Sequence, residues 1–201
     1  MTIPLAVLLV AYLLGSIPFG YLLVRWKTGR DVRAAGSGNI GATNVLRTAG
    51  RTAGVATLLL DMAKGYLAVW LEGRLTGGNI EWMSAAALAV MIGHSYPVFL
   101  RFRGGKAVAA FVGAYLCLTP LPLAAVLVVF VALVAWSGHI SIGSIVGAGT
   151  FPLAVWLIAH PPAIVVLTAI LSAALIIYRH RENIVRLRAG TESVFSFGSR
   201  S

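Results

Sequence analysis

"AVAAFVGAYLCLTPLPLAAVLVVFVALVAWSGHISIGSIVGAGTFPLAVWLIAHPPAIVVLTAILSAALIIY", residues 107–178, runs for about 72 residues without any Asp, Glu, Lys or Arg. Read as two membrane helices, each would be ~36 residues and ~54 Å long, far beyond a hydrocarbon core of ~30 Å. Read as four, it breaks at "TPLP" (119–122), "SGHIS" (137–141) and "HPP" (160–162), stretches of residues that end helices. The four-helix reading leaves one short member, over 107–118, only ~18 Å long. Such a helix must begin or end within the bilayer, where irregular backbone persists only if protein buries it or it lines a wet cavity.

Outward from this run the chain stays apolar. Spans are predicted at roughly 53–71 and 82–100, joined by the polar loop "EGRLTGGNIE". The opening "MTIPLAVLLVAYLLGSIPFGYLLV" lacks a basic leader and is too long for a signal peptide, so it reads as a retained first span. With 59% hydrophobic and 11% charged residues and a mean hydropathy of +0.89, a soluble domain is excluded. The fold class is therefore all-α: a polytopic integral membrane helical bundle of about seven transmembrane helices, with residues 1–201 forming one domain. The single Cys117 reads as a packed small side chain.

The net charge of +10 has a pattern that argues against nucleic acid as a partner. Fourteen of the sixteen Lys and Arg fall in three clusters, leaving only Lys64 and Arg74 elsewhere. The clusters are Arg25 to Arg51, Arg101 to Lys106, and Arg179 to Arg200. The positive-inside rule puts all three on the cytoplasmic side, which places the N-terminus outside and the C-terminus inside.

Each cluster borders a polar segment. In "GSGNIGATNVLR" (36–47), Gly36, Gly38 and Gly41 permit turns and close backbone approach, while Ser37, Asn39, Thr43 and Asn44 supply neutral donors. Arg47 adds a forked cation, and Thr43 or Asn44 is placed to cap the following helix toward an anion. In "GHSYPVFLRFRGGKAVAAF", "GGK" before an apolar helix presents two amides and an ammonium to phosphate through Gly104, Gly105 and Lys106, without Walker A spacing. His94 reads either as a histidine bonded between helices or as a group supporting the site. In "YRHRENIVRLRAGTE", a continuing helix would put His180 and Asn183 on one face, and Glu182 and Glu192 are each placed to hold an arginine. Asp61 and Lys64, three apart within a span, read as an ion pair facing the bundle. Ser141 and Ser144 are further candidates for the site.

No H-x-x-x-x-D follows His94, His139, His160 or His180, and no G-x-S-x-G elbow or metal-spaced Cys/His cluster occurs. Two other classes fit parts of the pattern. An anion or phosphate-ester transporter would place its cations along an alternating path near the midplane; the other is a membrane-embedded phosphatase or alcohol phosphotransferase, of which the latter would carry an aspartate-rich metal motif.

"GSGNIGATNVLR", "GHSYPVFLRFRGGKAVA" and "HRENIVRLRAGTE" resemble, in order and spacing, the three signature segments of the bacterial acyl-phosphate:glycerol-3-phosphate acyltransferase family. Asp61–Gly65, "D-x-x-K-G", is similar to a further family feature. The resemblance implies a seven-helix inner-membrane enzyme whose substrates are fatty acyl phosphate and glycerol 3-phosphate, with no cofactor, metal or obligate protein partner. Its products would be 1-acylglycerol 3-phosphate (lysophosphatidate) and inorganic phosphate. By position, Ser37 and Arg47 match residues needed for activity, and Gly104, Gly105 and Lys106 match the glycerol-phosphate loop. His180 and Asn183 match active-site polar residues, and Glu192 matches a structural acid. Ala107 departs from the family, which commonly has glycine there; its methyl is expected to be tolerated if the position is helical.

An acyl phosphate carries its own leaving group, so positioning and charge stabilisation suffice and no enzyme nucleophile is required. The expected chemistry is direct attack by the glycerol 1-hydroxyl, its proton passing to the donor phosphate or to a histidine. It requires the three polar segments to meet in one anion pocket at the cytoplasmic surface, with the acyl chain in an apolar groove open to the bilayer.

Overall fold

The computed structural model describes the backbone of residues 2–195 and the side chains of 4–195. The tail 193–201 is expected from sequence to be disordered; within its described part the Phe195 N–H donates to the Gly138 carbonyl at 2.7 Å, and residues 196–201 lie outside the described residues. All regular structure among the described residues is helical. The helices are α1 (Thr2–Ser16), α2 (Phe19–Thr28), α3 (Ala42–Ala49), α4 (Arg51–Leu75), α5 (Ile80–Ser95), α6 (Val108–Leu118), α7 (Pro120–Ser137), α8 (Ile140–Ala154), α9 (Ala163–Arg179) and α10 (Arg181–Arg188). They form two compact units divided between Leu118 and Thr119.

Five stretches are long and apolar enough to cross a membrane: Pro4–Thr28, Arg51–Leu75, Ile80–Leu100, Pro120–Ser137 and Ile140–Ala159. The pair α9 and α10, bent by 54°, makes a sixth if it is counted as one broken span. Helix α6, with 11 residues, is shorter than a span and sits where the sequence puts its short helix. The breaks at residues 119, 138–139 and 160–162 also fall where the sequence places them.

The first span falls where the sequence places it, over Pro4–Thr28, with a break inside it. Pro18 lacks an N–H and disfavours helical backbone at Ile17, so α1 stops at Ser16 and α2 begins at Phe19. The loop after the second span is shorter than predicted, because α4 continues to Leu75 and carries Glu72 into the interior with both carboxyl oxygens unbonded in the protein.

In the first unit, α4 packs on α1, α5 and α6, and α1 packs on α5. Small residues set these approaches. A Cβ on Gly65 of α4 would lie 2.2 Å from the Ala110 carbonyl oxygen of α6, and one on Gly93 of α5 would lie 2.1 Å from that of Tyr12 in α1. Such backbone-to-backbone contact is how membrane helices gain dispersion energy when lipid already solvates their apolar side chains. In the second unit, α8 packs against both α7 and α9.

Candidate active site

The first polar segment is built around Asn44. Its backbone lies in the first turn of α3, whose N-cap is Gly41 with no side-chain bond, so neither Thr43 nor Asn44 is the cap expected from sequence. The Asn44 side chain turns back into the loop instead, with the residue only 2% exposed. Its Oδ1 accepts the Ser37 N–H at 2.8 Å, and its Nδ2 donates to the carbonyls of Asn39 (2.8 Å), Ala35 (3.1 Å) and Val32 (3.2 Å). Gly36 is obligatory beside it: φ is +60° there, and a Cβ would fall 2.2 Å from Asn44 Oδ1. Asn39 Oδ1 accepts the Gly41 N–H, and Gly38 turns at φ +69°. Asn44 and Asn39 thus shape the loop from within. Ser37 and Arg47 remain exposed, and among the described residues neither side chain forms a hydrogen bond. Asp31 grips Arg33 through both carboxylate oxygens, with 2.7 Å between Arg33 Nη2 and Asp31 Oδ2. That bond holds the Asp31 carboxyl below its usual range.

The second segment shares a hydrophobic cluster with the first, since Leu100 packs with Val24, Val32, Ile40, Val45 and Ala53. Its two glycines play a different part from the one the sequence suggests. The Gly104 N–H donates to the Ser95 carbonyl at 3.2 Å and the Gly105 N–H to that of His94 at 3.0 Å, so both amides bond within the protein rather than facing outward. What glycine provides is room. A Cβ at Gly104 would meet the His94 carbonyl oxygen at 2.2 Å, and one at Gly105 would meet His94 Nε2 at 2.1 Å. Lys106 follows, half-buried. Ala107 precedes α6, fully buried and at φ +60°, so the helical conformation that would accommodate its methyl is absent. With Arg101 and Phe102 also at positive φ, this loop holds three left-handed non-glycine residues within seven positions.

Below it, Asp61 and Lys64 form the ion pair expected from sequence, at 2.8 Å with both side chains 3% exposed. Lys64 Nζ also donates to the Ile17 carbonyl at 2.8 Å, and His94 Nδ1 stands 3.6 Å from Asp61 Oδ1.

The third segment, in the second unit, is organised by Glu192. Its Oε1 accepts bonds from Ser141 Oγ (2.9 Å) and Asn183 Nδ2 (2.5 Å), and its Oε2 accepts one from Arg186 Nε (2.7 Å). Burial alone would raise the Glu192 carboxyl, but the donors Arg186, Asn183 and Ser141 outweigh it and bring the group below its ordinary value. Glu182, by contrast, stands 4.0 Å from Arg181 with both side chains exposed. Ser144 Oγ donates to the Ile140 carbonyl in its own helix. The helix does not continue through His180 as the i, i+3 argument assumed; it bends there, between α9 and α10. His180 is buried, and its Nδ1 lies 2.7 Å from the Ile176 carbonyl, which can only accept. Nδ1 therefore carries a proton and donates to that carbonyl, which fixes the plane of the ring. An apolar groove of about 560 Å³ runs between α8 and α9, walled by Pro152, Trp156, Ile170, Ala173 and Ile177.

A family model for glycerol-3-phosphate acyltransferase matches residues 5–190. The chain belongs to the glycerol-3-phosphate acyltransferase family. It is 49% identical over 186 residues to the glycerol-3-phosphate acyltransferase of Geobacter sulfurreducens, covering 92% of this chain and 94% of that one. To the enzyme of the same name from Trichlorobacter lovleyi it is 50% identical over 186 residues, with the same two coverages. Among solved structures it is similar to PlsY (YgiH), described as an integral membrane glycerol 3-phosphate acyltransferase. The glycerol 3-phosphate form matches with TM-score 0.91 and 39% identity, covering 96% of each chain. The lysophosphatidic acid form matches with TM-score 0.87, 37% identity and the same coverage. The protein is a multi-pass membrane acyltransferase.

Proposed function

We propose that this acyltransferase moves the acyl group of a fatty acyl phosphate to the 1-hydroxyl of sn-glycerol 3-phosphate, yielding lysophosphatidate and inorganic phosphate. The PlsY structures named for glycerol 3-phosphate and lysophosphatidic acid support the acceptor and the product. The donor is inferred from chemistry. Exposed Ser37, on a loop that Asn39 and Asn44 shape from within, and exposed Arg47 on the α3 that follows it, are suited to grip phosphoryl oxygens, and their exposure is the observation on which the reading rests.

In this mechanism the acceptor oxygen attacks the acyl carbonyl, the C–O bond to phosphate breaks, and the departing phosphate takes the hydroxyl proton as its negative charge grows. Arg47 and Lys106 neutralise phosphate, and Ser37 and Thr43 orient it. His180 and Asn183 serve the same reaction, with Glu192 holding Asn183 in place. Asn44, Asn39, Gly104 and Gly105 act by shaping the two loops. The acyl chain lies in the groove between α8 and α9, whose wall at Ile177 is three residues from His180. Seven membrane helices, counting α6, put the N-terminus outside and the three basic clusters at the cytoplasmic face of the inner membrane.

Arg47→Lys keeps the charge but loses the planar fork, and turnover should fall about tenfold or more; full activity contradicts two-point phosphate binding. Mass spectrometry of protein quenched during turnover should find no acyl group on Ser37, and an acyl-Ser37 adduct overturns direct attack.

A further inference from the structure

A buried line of polar groups in the first unit leads from the break in the first span to the loop that carries Lys106. It begins at the Ile17 carbonyl, which Pro18 leaves outside regular helix and which accepts the Lys64 ammonium at 2.8 Å. Lys64 pairs with Asp61 at 2.8 Å and also lies over the Phe19 ring, 5.6 Å from its centre. Asp61 Oδ1 faces His94 Nδ1 at 3.6 Å. The far edge of the same imidazole meets Gly105, whose added Cβ would sit 2.1, 2.9 and 3.1 Å from His94 Nε2, Cδ2 and Cε1. All three of its nearest obstructions are ring atoms of His94. The Gly104 contacts differ, being chiefly with the backbone of His94 and Ser95 and the Pro97 ring.

The geometry points to His94 as a positioning residue for Lys106. Asp61, itself fixed by Lys64, sets the ring's orientation, and the ring sets the path of the chain through Gly105 into Lys106. An ionic group buried in a membrane helix is costly unless every member is compensated. Here Asp61 is compensated by Lys64, so His94 stands as an addition to a pair that is already neutral. Positional control of the loop accounts for its place. This inference rests on the acyl-transfer reading, in which Lys106 binds acceptor phosphate.

The test is a double-mutant cycle on His94→Ala and Gly105→Ala, with KM for glycerol 3-phosphate and kcat measured on full-length protein in detergent. Each single variant should raise KM about tenfold, one by freeing the loop and the other by displacing it, with kcat held within about threefold. Combining them gives the new methyl the space the ring vacated, so the double variant should have a KM at least about tenfold below the product of the two effects. Unfolding would lower the active fraction, and so kcat, without producing this KM split or this recovery. As a second probe, Asp61→Asn combined with Lys64→Met removes both charges together, sparing the fold an unpaired ion, and should also raise KM. Additive KM changes, or losses confined to kcat, overturn the positioning role while wild-type turnover leaves the acyl-transfer reading intact. Absence of lysophosphatidate from the wild type overturns both.

Discussion

Two polar segments of this protein are held in shape by one side chain each, and the two organisers differ in charge. Asn44 does the work with a neutral amide that meets one N–H and three carbonyls. Glu192 does it with a carboxylate that meets a hydroxyl, an amide and a guanidinium. The partners explain the choice. A loop folded on itself presents mostly carbonyls, which need a donor, whereas the third segment presents donors, which need an acceptor. It follows that the bonds of Asn44 are indifferent to acid and those of Glu192 are not.

The sharpest way to break the comparison is Asn44→Asp. The side chain keeps its shape, but an oxygen then faces the carbonyls of Val32, Ala35 and Asn39. We expect a stability loss of about 3 kcal/mol or more and activity near background, read by thermal unfolding and turnover in detergent. A variant close to wild type would show that the amide is not what holds the loop.

Glu192→Gln is expected to cost less, about 1–3 kcal/mol, because the amide oxygen still accepts from Ser141 or Asn183 while the guanidinium of Arg186 loses its anion. A pH series sharpens the point. The Glu192 carboxyl is depressed in the folded protein, so its stabilising effect is complete above the ordinary carboxylate value and is lost as pH falls through the folded one. The melting temperature of wild type should therefore fall toward that of Glu192→Gln in acid, with the difference largest at neutral pH. Equal differences at both ends of the series would contradict the charged role.

The smallest effect is expected at Ala107. Its methyl sits at φ +60°, a region costing a non-glycine residue about 1–2 kcal/mol, and Ala107→Gly should raise stability by about 1 kcal/mol after the glycine's own entropy is counted. A loss would mean that packing of the buried methyl outweighs the backbone term.

The sequence showed most where the signal is local. Hydropathy and the helix breakers at Thr119, Gly138 and Pro161 located the second-unit helices, because an end needs only a few residues to specify it. The Asp61–Lys64 pair was equally legible, since i, i+3 spacing on a helix fixes proximity. Contacts made across the chain were not legible. Nothing local says that Asn44 reaches back to Val32, or that the Gly105 amide turns to His94 and the glycines serve clearance instead of phosphate. Glu72 was hidden by its neighbours: "EGRLTGG" reads as loop, yet α4 continues through it.

The most direct test of the central claim is the choice of acyl donor. Purified full-length protein in detergent is given glycerol 3-phosphate with either a fatty acyl phosphate or the matching acyl-coenzyme A. The account predicts lysophosphatidate and inorganic phosphate in equal amounts from acyl phosphate and no product from the thioester. Efficient transfer from acyl-coenzyme A, or lysophosphatidate formed without stoichiometric phosphate, would contradict it.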